Sequence, residues 1–240
     1  MIKAVLFDLD GTLLPMDQDV FIKAYLSSIA AKLSERGYEP KRLVSAIWTG
    51  TMAMINNDGK KTNEAVFWDK FDELYGVGAR ADEPYFAEFY ENDFDKIKLC
   101  CGFSPRAKDI VCELREMGLR LALATTPIFP AVATRKRIAW AGLSPEDFEL
   151  YTTYENSRHA KPSLDYYRDV AAELGVLPEE CLMVGNDVSD DMIAAELGMS
   201  VFLLTDCLIN KENKDISQYP GGSFDGLLEY VKELLKQAEI

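Results

Sequence analysis

The stretch VLFDLDGTLLP at residues 5–15 decides the fold, because an apolar run ends there in two acidic residues and a glycine. The run is apolar at every position, which is typical of a strand covered on both faces of a parallel sheet. Asp8 and Asp10 follow two positions apart, so both carboxylates can reach the same side of the strand end. Gly11 permits the turn behind them. The pattern predicts a buried strand whose carboxyl end carries a pair of carboxylates.

Short apolar runs recur along the chain and predict a sheet. The predicted strands are 3–7, 120–125, 181–185 and 200–205, with a weaker one at 148–154. Segments with helical spacing lie between them, each opened by a serine and closed by a glycine: 104–118, 163–175 and 189–198. This alternation of strands and helices predicts an α/β fold with a doubly wound parallel sheet.

Residues 16–98 carry a different pattern, with four aromatic-rich amphipathic helices and no strand signal. They fall between the first and second predicted strands. We therefore interpret the chain as an α/β core, residues 1–15 and 99–240, with an inserted helical domain at 16–98. An insertion of this size beside the carboxyl end of a strand would cover the edge of the sheet where ligands of open parallel sheets bind.

Composition argues against several classes of protein. The formal net charge of −14 disfavours nucleic acid or an anionic membrane surface as a partner, since such binders bring Lys and Arg to phosphates. No apolar run approaches the roughly 20 residues of a membrane helix. The five cysteines are odd in number and lack CxxC spacing, which predicts reduced thiols in a cytoplasmic protein. His159 is the only histidine, so a multi-histidine zinc site is excluded, and a Ser-His-Asp or Cys-His mechanism would have to use it.

The carboxyl ends of the predicted strands bring acids, hydroxyls and an amine to one crevice. The residues concerned are Asp8, Asp10, Thr125, Thr126, Lys161, Asp187, Asp190 and Asp191. Clustered acids repel and raise one another's pKa, and a magnesium ion offsets that cost with oxygen ligands from one or two carboxylates. This set of donors predicts a Mg²⁺ site beside a phosphate-binding site.

These residue types suit phosphoryl transfer, which needs positioning and neutralisation of charge on the phosphate oxygens. Asp8 is the predicted nucleophile and would form an acyl phosphate. Asp10 would protonate the leaving oxygen and then help to deprotonate the attacking water. Magnesium, Lys161 and the Thr125 hydroxyl would neutralise the phosphoryl charge, with Thr126 as a further substrate contact. The predicted partner is a small phosphorylated metabolite, and oligomeric state is left without a prediction.

Four segments resemble, in order, the four motifs of the haloacid dehalogenase-like superfamily. They are FDLDGTL (7–13), ALATTP (122–127), HAKP (159–162) and VGNDVSDD (184–191). The resemblance implies a Rossmann-like core with the first strand central, a helical cap after the first motif, magnesium dependence and an aspartyl-phosphate intermediate.

The same resemblance assigns roles by position. It makes Asp8 the nucleophile and a metal ligand, and it makes Asp10 the acid/base and a metal ligand through its backbone carbonyl. Thr125 and Lys161 hold the phosphoryl group in this assignment. For Asp8, Asp10, Thr125 and Lys161, the resemblance therefore implies the same roles that the chemistry of the residues predicts.

The fourth segment departs from the family pattern, which often has Gly-Asp where this chain has Gly185-Asn186-Asp187. We expect Asp187 to be the metal ligand, because it is the first acid past the strand. Asp190 and Asp191 are further candidates, for contact with the ion or with its ligands. An acid in the first turn of a helix also complements the helix dipole, so a structural role explains Asp190 equally well.

Three alternatives to a phosphatase share this scaffold. A haloacid dehalogenase also uses an aspartate nucleophile, but halide leaves without a proton, so the second acid Asp10 favours phosphoryl chemistry. A phosphomutase keeps the same catalytic set and stays open. A catalytically silent binding protein is the third alternative, since fold alone does not give function, but the intact catalytic set disfavours it.

Overall fold

The computed structural model describes residues 1–237, and a parallel β-sheet forms its centre. Within that range the strands are β1 (Ala4–Phe7), β2 (Arg120–Leu123), β3 (Leu150–Tyr151), β4 (Cys181–Gly185), β5 (Ser200–Leu204) and β6 (Gly221–Gly222). They pair in parallel in the order β3-β2-β1-β4-β5-β6. Strand β1 therefore lies inside the sheet, at the point where the chain order reverses, which is where open α/β sheets bind ligands.

Helices account for most of the remaining described chain. The α-helices of residues 1–237 are α1 (Gln18–Ser34), α2 (Pro40–Ile55), α3 (Asn63–Tyr75), α4 (Glu83–Asn92), α5 (Pro105–Glu116), α6 (Ala131–Trp140), α7 (Leu164–Glu173) and α8 (Phe224–Gln237). Short 3₁₀ helices occur at Ala79–Asp82, Phe94–Cys100, Pro145–Asp147, Pro178–Glu180 and Met192–Leu197. No helix within the described range has both the length and the apolar character that a membrane crossing requires.

Both faces of the sheet are buried, as the uninterrupted apolar strands predict. Val5 and Phe7 of β1 pack into a core cluster that continues into α5, α6, α8 and the helices between β1 and β2. Ala4 and Leu6 point to the other face and pack into a second cluster with α7. This two-sided packing confirms the predicted α/β fold with a Rossmann-like, doubly wound parallel sheet.

The structure differs from the sequence prediction in two helices. The predicted helix 189–198 is a 3₁₀ helix at Met192–Leu197, because the chain before it turns around the side chain of Asp187. Helix α6 was not predicted at all. Its buried face includes Arg137, which is 1% exposed, and a charged residue at a core position interrupts the apolar period that signals a helix.

Helices α1–α4, called the inserted helices below, lie between β1 and α5 in the chain. The chain enters and leaves this segment at one place, where Met16 and Cys101 form an isolated antiparallel bridge. The N–H of Gly102 also donates a hydrogen bond to the carbonyl of Pro15 at 2.7 Å. The predicted boundary between residues 98 and 99 falls inside the 3₁₀ helix Phe94–Cys100, and the division into two domains stays a prediction.

A second connection ties the inserted helices to the rest of the chain. Asn63, at the start of α3, is fully buried, and its side-chain amide donates to the carbonyls of Pro127 at 3.1 Å and His159 at 3.2 Å. Its backbone N–H donates to the carbonyl of Ser157 at 2.8 Å. These bonds hold α3 against the loops that follow β2 and β3.

Candidate active site

Asp8 lies directly after β1 and is 7% exposed. Its Oδ1 accepts a hydrogen bond from Lys161 Nζ at 2.8 Å, and its Oδ2 accepts one from the Thr12 hydroxyl at 3.2 Å. The turn that returns Thr12 to this carboxylate runs through Gly11 at φ +87°, where a β-carbon would lie 2.3 Å from Asn186 Nδ2. A glycine is therefore required both by the backbone angle and by the space.

Lys161 is the buried cation of the site, at 2% exposure. Its Nζ lies 2.8 Å from Asp8 Oδ1 and 2.6 Å from Asp191 Oδ1. Burial alone would lower the pKa of Lys161, but the carboxylates of Asp191 and Asp8 raise it well above its ordinary value. Lys161 therefore carries its charge between two acids, of which Asp8 lines the cavity.

Asp10 has a partner that the sequence reasoning missed. Its Oδ2 forms an ion pair with Arg137 of α6, and its Oδ1 is buried with no hydrogen-bond partner among the described residues. The Arg137 guanidinium also lies over the Phe129 ring, 4.5 Å from its centroid. Burial raises the pKa of Asp10, and the Arg137 charge opposes that rise. The sequence carries no local signal for Arg137, because its buried charge interrupts the apolar period of α6 and that helix was not predicted.

The acids of the fourth segment, residues 184–191, point in two directions. Asp187 Oδ1 accepts hydrogen bonds from the N–H groups of Ser189 at 2.7 Å and Asp190 at 2.9 Å, which fixes that side chain. Asp187 and Asp190 line the same cavity as Asp8. Burial raises the pKa of Asp190 to about 6, and repulsion from Asp187 adds to the rise. Asp191 instead pairs with Lys161 and packs against Gly185, where a β-carbon would lie 2.1 Å from Asp191 Oδ2.

Asn186 occupies a structural position. Its Oδ1 accepts from the Thr12 hydroxyl at 3.0 Å, and its Nδ2 donates to the Cys207 carbonyl at 2.7 Å. The side chain is 1% exposed. It therefore braces the turn under Asp8, while the next residue, Asp187, faces the cavity.

The predicted phosphate-binding threonines also reach this place. Thr125 and Thr126 follow β2 and line the cavity with Lys161. The Thr125 carbonyl accepts hydrogen bonds from the hydroxyls of Thr152 at 2.6 Å and Tyr166 at 2.9 Å, which fixes the backbone of the loop. His159, by contrast, pairs through Nδ1 with Asp169 at 2.7 Å and does not line the cavity.

The cavity measures about 450 Å³ and lies between the sheet edge and the inserted helices. Five residues form what we call its floor: Asp8, Asp10, Thr125, Lys161 and Asp187. Five side chains of α1 and α2 form what we call its apolar wall: Ile22, Leu26, Ile47, Trp48 and Ile55. The site therefore joins a charged surface to an apolar one.

The loop between β5 and β6 also belongs to the site. The Ile209 N–H donates to the Asn186 carbonyl at 2.8 Å, and the Val188 N–H donates to the Ile209 carbonyl at 3.0 Å. Ile209 and Lys211 line the cavity. Pairing with the segment after β4 brings this loop to the rim.

The oxygen donors of the floor fit a magnesium ion. Within residues 1–237, no three His, Cys, Asp or Glu side chains are grouped closely enough to hold a metal by themselves. The Asp10 carboxylate is turned to Arg137, whereas the carboxylates of Asp8, Asp187 and Asp190 line the cavity. Magnesium is commonly bound by one or two carboxylates and completes its shell with water and substrate phosphate.

Comparison with known proteins identifies relatives of this chain. A family model described as haloacid dehalogenase-like hydrolase matches residues 2–198. The chain is 27% identical to a glyceraldehyde 3-phosphate phosphatase of Methanocaldococcus jannaschii, over 98% of this chain and 100% of that one. It is 28% identical to a phosphoglycolate phosphatase of Xylella fastidiosa, over 82% of this chain and 77% of that one.

Among solved structures, a 2-haloacid dehalogenase from Pseudomonas syringae pv. Tomato DC3000 superposes with a TM-score of 0.65 at 19% identity, covering 98% of this chain and 100% of that one. At that identity the likeness shows the fold alone. The family model, in contrast, spans the segments from Asp8 to Asp191 that build the floor. The chain belongs to the haloacid dehalogenase-like hydrolase family and is a hydrolytic enzyme.

Proposed function

We propose that this enzyme is a magnesium-dependent phosphatase that hydrolyses a small phosphomonoester through an aspartyl-phosphate on Asp8. The observation that carries the proposal is the Asp8 carboxylate, which is held by Lys161 and Thr12 at a cavity that Asp10 also lines. The names of the two curated relatives, a glyceraldehyde 3-phosphate phosphatase and a phosphoglycolate phosphatase, support phosphoryl chemistry.

The proposed first step transfers the phosphoryl group to Asp8. A carboxylate oxygen of Asp8 attacks phosphorus, the bond from phosphorus to the ester oxygen breaks, and the leaving oxygen takes a proton from Asp10. The Lys161 ammonium and the Thr125 hydroxyl stabilise the phosphoryl oxygens. Burial raises the pKa of Asp10, which favours the protonated acid, and the Arg137 charge opposes that rise.

The second step releases phosphate. The Asp10 carboxylate takes a proton from water, the water oxygen attacks phosphorus, and the bond from phosphorus to Asp8 breaks, so that both acids return to their starting states. Arg137 keeps the Asp10 carboxylate in one orientation through both proton transfers, since its guanidinium is buried and donates a charge-assisted hydrogen bond to Asp10 Oδ2.

The metal would be held by the carboxylates of Asp8 and Asp187 and by the backbone carbonyl of Asp10. Magnesium supplies neutralisation of phosphate charge when bound. Asp190 lies close enough to Asp187 for the two charges to interact, so it is a candidate for contact with the ion or its waters. Asp191 is committed to Lys161, and we propose that it acts by holding that lysine.

The inserted helices are proposed to be a cap over the α/β core. They lie between β1 and α5, and α1 and α2 form one wall of the cavity. The proposed core is residues 1–15 and 99–240, and the proposed cap is residues 16–98. A cap of this kind would exclude water from the reaction and contact the alcohol part of the substrate.

The experiment that tests the proposal measures hydrolysis of p-nitrophenyl phosphate by the purified protein with Mg²⁺ and with EDTA. We expect Mg²⁺-dependent turnover that falls by more than about 1000-fold in Asp8→Asn. Asp109→Asn, which changes an exposed acid on α5, is the matched control and should keep full activity. Halide release from 2-chloropropionate without metal, in the absence of phosphate release, would overturn the proposal.

A further inference from the structure

The apolar wall carries no charge. Of the cavity-lining residues between 16 and 55, the polar ones are Gln18, Tyr25 and Thr51, and within this described part none is acidic or basic. This wall faces the floor across the space that the alcohol part of a bound phosphomonoester would occupy. A leaving group with its own charge would therefore lose its hydration against side chains that offer no ionic partner.

Trp48 adds exposed apolar surface to the wall. It lines the cavity on α2, yet it is 51% exposed. An exposed indole at a cavity mouth is apolar surface that the folded protein leaves in contact with water. A ligand that covered it would gain from the hydrophobic effect and from contact with the ring.

The cations that line the cavity already face carboxylates. Among described residues, Lys161 and Lys211 are the Lys and Arg side chains that line the cavity. Lys161 is paired with Asp8 and Asp191. Lys211 lies on the loop between β5 and β6, and its Nζ lies 3.6 Å from the carboxylate of Asp19 at the start of α1, which offsets its charge beside the wall.

We propose that the enzyme selects phosphomonoesters of uncharged, apolar alcohols, aryl or medium-chain alkyl, and discriminates against esters whose alcohol carries a carboxylate. This specificity rests on the proposed phosphatase function and names its substrate class. The cavity of about 450 Å³ is within the range of pockets for small organic ligands and exceeds what a two-carbon alcohol fills. The selectivity differs from what the name of the phosphoglycolate phosphatase relative states for that protein.

A homologous series of substrates tests the proposal. Ethyl, butyl and hexyl phosphate have leaving groups of nearly equal basicity, so their kcat/KM values compare binding of the alkyl chain. We expect kcat/KM to rise about fourfold per added methylene until the cavity is filled. Phosphoglycolate should be at least about tenfold poorer than propyl phosphate, which is similar in size but uncharged, because its carboxylate meets the apolar wall.

Two variants locate the effect on the wall. Ile22→Lys, at a half-buried position of α1, should lower kcat/KM for hexyl phosphate about tenfold and raise it for phosphoglycolate about tenfold. Trp48→Ala should lower kcat/KM for hexyl phosphate about tenfold more than for ethyl phosphate. Val77→Lys adds the same charge at a fully exposed position between α3 and α4 and should leave the ratio of the two substrates unchanged.

Two results would overturn the inference while leaving the proposed function in place. One is turnover of p-nitrophenyl phosphate with flat kcat/KM values along the alkyl series. The other is a preference for phosphoglycolate over propyl phosphate that disappears in Lys211→Met, which would show that Lys211 binds the carboxylate. Failure of the wild-type protein to hydrolyse any phosphomonoester would instead overturn the proposed function, and this inference with it.

Discussion

The floor and the apolar wall of the cavity differ in how firmly their side chains are held. On the floor, Asp8 has two hydrogen-bond partners, Lys161 lies between two carboxylates, and Asp187 accepts from two backbone N–H groups. On the wall, Ile22 and Leu26 are half-buried and Trp48 is half exposed. Among the described residues, no hydrogen bond fixes the position of these three side chains.

This difference separates the two tasks of the enzyme. Charged groups stabilise a developing charge best when they are already oriented before the reaction begins, because no reorganisation is then needed. Apolar side chains can adjust to the shape of a ligand at small cost. We therefore expect changes on the floor to affect the rate of the chemical steps, and changes on the wall to affect which substrate is accepted.

The largest effect is expected at Asp10. Asp10→Asn cannot donate or accept the proton, so kcat for ethyl phosphate should fall by about 100-fold to 10,000-fold. With p-nitrophenyl phosphate, whose leaving group needs no proton, stopped-flow should show a fast release of one equivalent of nitrophenol before slow turnover. Equal slowing of that first release and of later turnover would contradict the assignment of Asp10 as the general acid.

Arg137 provides a second test of the role of Asp10, because Asp10 is the residue of the floor that it contacts. Arg137→Lys should lower kcat for ethyl phosphate by up to about 100-fold, through misplacement of Asp10, and should slow nitrophenol release much less. Arg137→Met also leaves a buried acid without its cation, which should cost about 3–5 kcal/mol in the free energy of unfolding.

Comparing substrates with different leaving groups shows whether Arg137 positions Asp10 or only stabilises the fold. Loss of activity that is equal for ethyl phosphate and for nitrophenol release would show that Arg137 acts only by stabilising the protein. Arg135→Lys, on the exposed side of the same helix, is the control and should leave kcat for ethyl phosphate and the free energy of unfolding unchanged.

Asp187 tests the metal on the floor without relying on activity. At a magnesium concentration of about 100 times Kd, the ion should add about 2.7 kcal/mol to the free energy of unfolding of the wild-type protein. Asp187→Asn removes one carboxylate and should lose most of that gain, measured by thermal unfolding with Mg²⁺ and with EDTA. Asp109→Asn should keep it. An unchanged magnesium effect in Asp187→Asn would assign the ion to other residues.

The smallest effect is expected where α3 joins the loops that follow β2 and β3. Asn63→Ala leaves the carbonyls of Pro127 and His159 without their donor, so the free energy of unfolding should fall by about 1–3 kcal/mol. Asn56→Ala, at an exposed position after α2, should change it by less than about 0.5 kcal/mol. Urea denaturation measures both, and equal values would show that the connection through Asn63 contributes nothing.

The floor was largely predictable from the sequence, since its acids follow strands whose every position is apolar. What the sequence did not supply was the direction of each side chain. Asp10 turns to Arg137, a residue 127 positions away on a helix whose buried charge hid it. Asp187 and Asp191 are four positions apart, and only the partner lysine and the space beside Gly185 show which one faces the cavity.

The wall was less predictable. The sequence indicated aromatic-rich helices at 16–98, but the side of each helix that faces the cavity depends on how α1 and α2 pack over the sheet. The loop carrying Ile209 and Lys211 could not be placed at the cavity from the sequence either, because its pairing with the segment after β4 is a contact between distant residues without a local signal.

The central claim is that Asp8 accepts the phosphoryl group, and trapping that group tests it most directly. Asp10→Asn should be mixed with p-nitrophenyl phosphate and Mg²⁺, quenched in acid, reduced with borohydride and analysed by peptide mass spectrometry. Borohydride converts a phosphorylated aspartate to homoserine, so we predict homoserine at position 8 and none in the double variant that also carries Asp8→Asn. Release of nitrophenol with an unmodified Asp8, or with the phosphoryl group on another residue, would contradict the account.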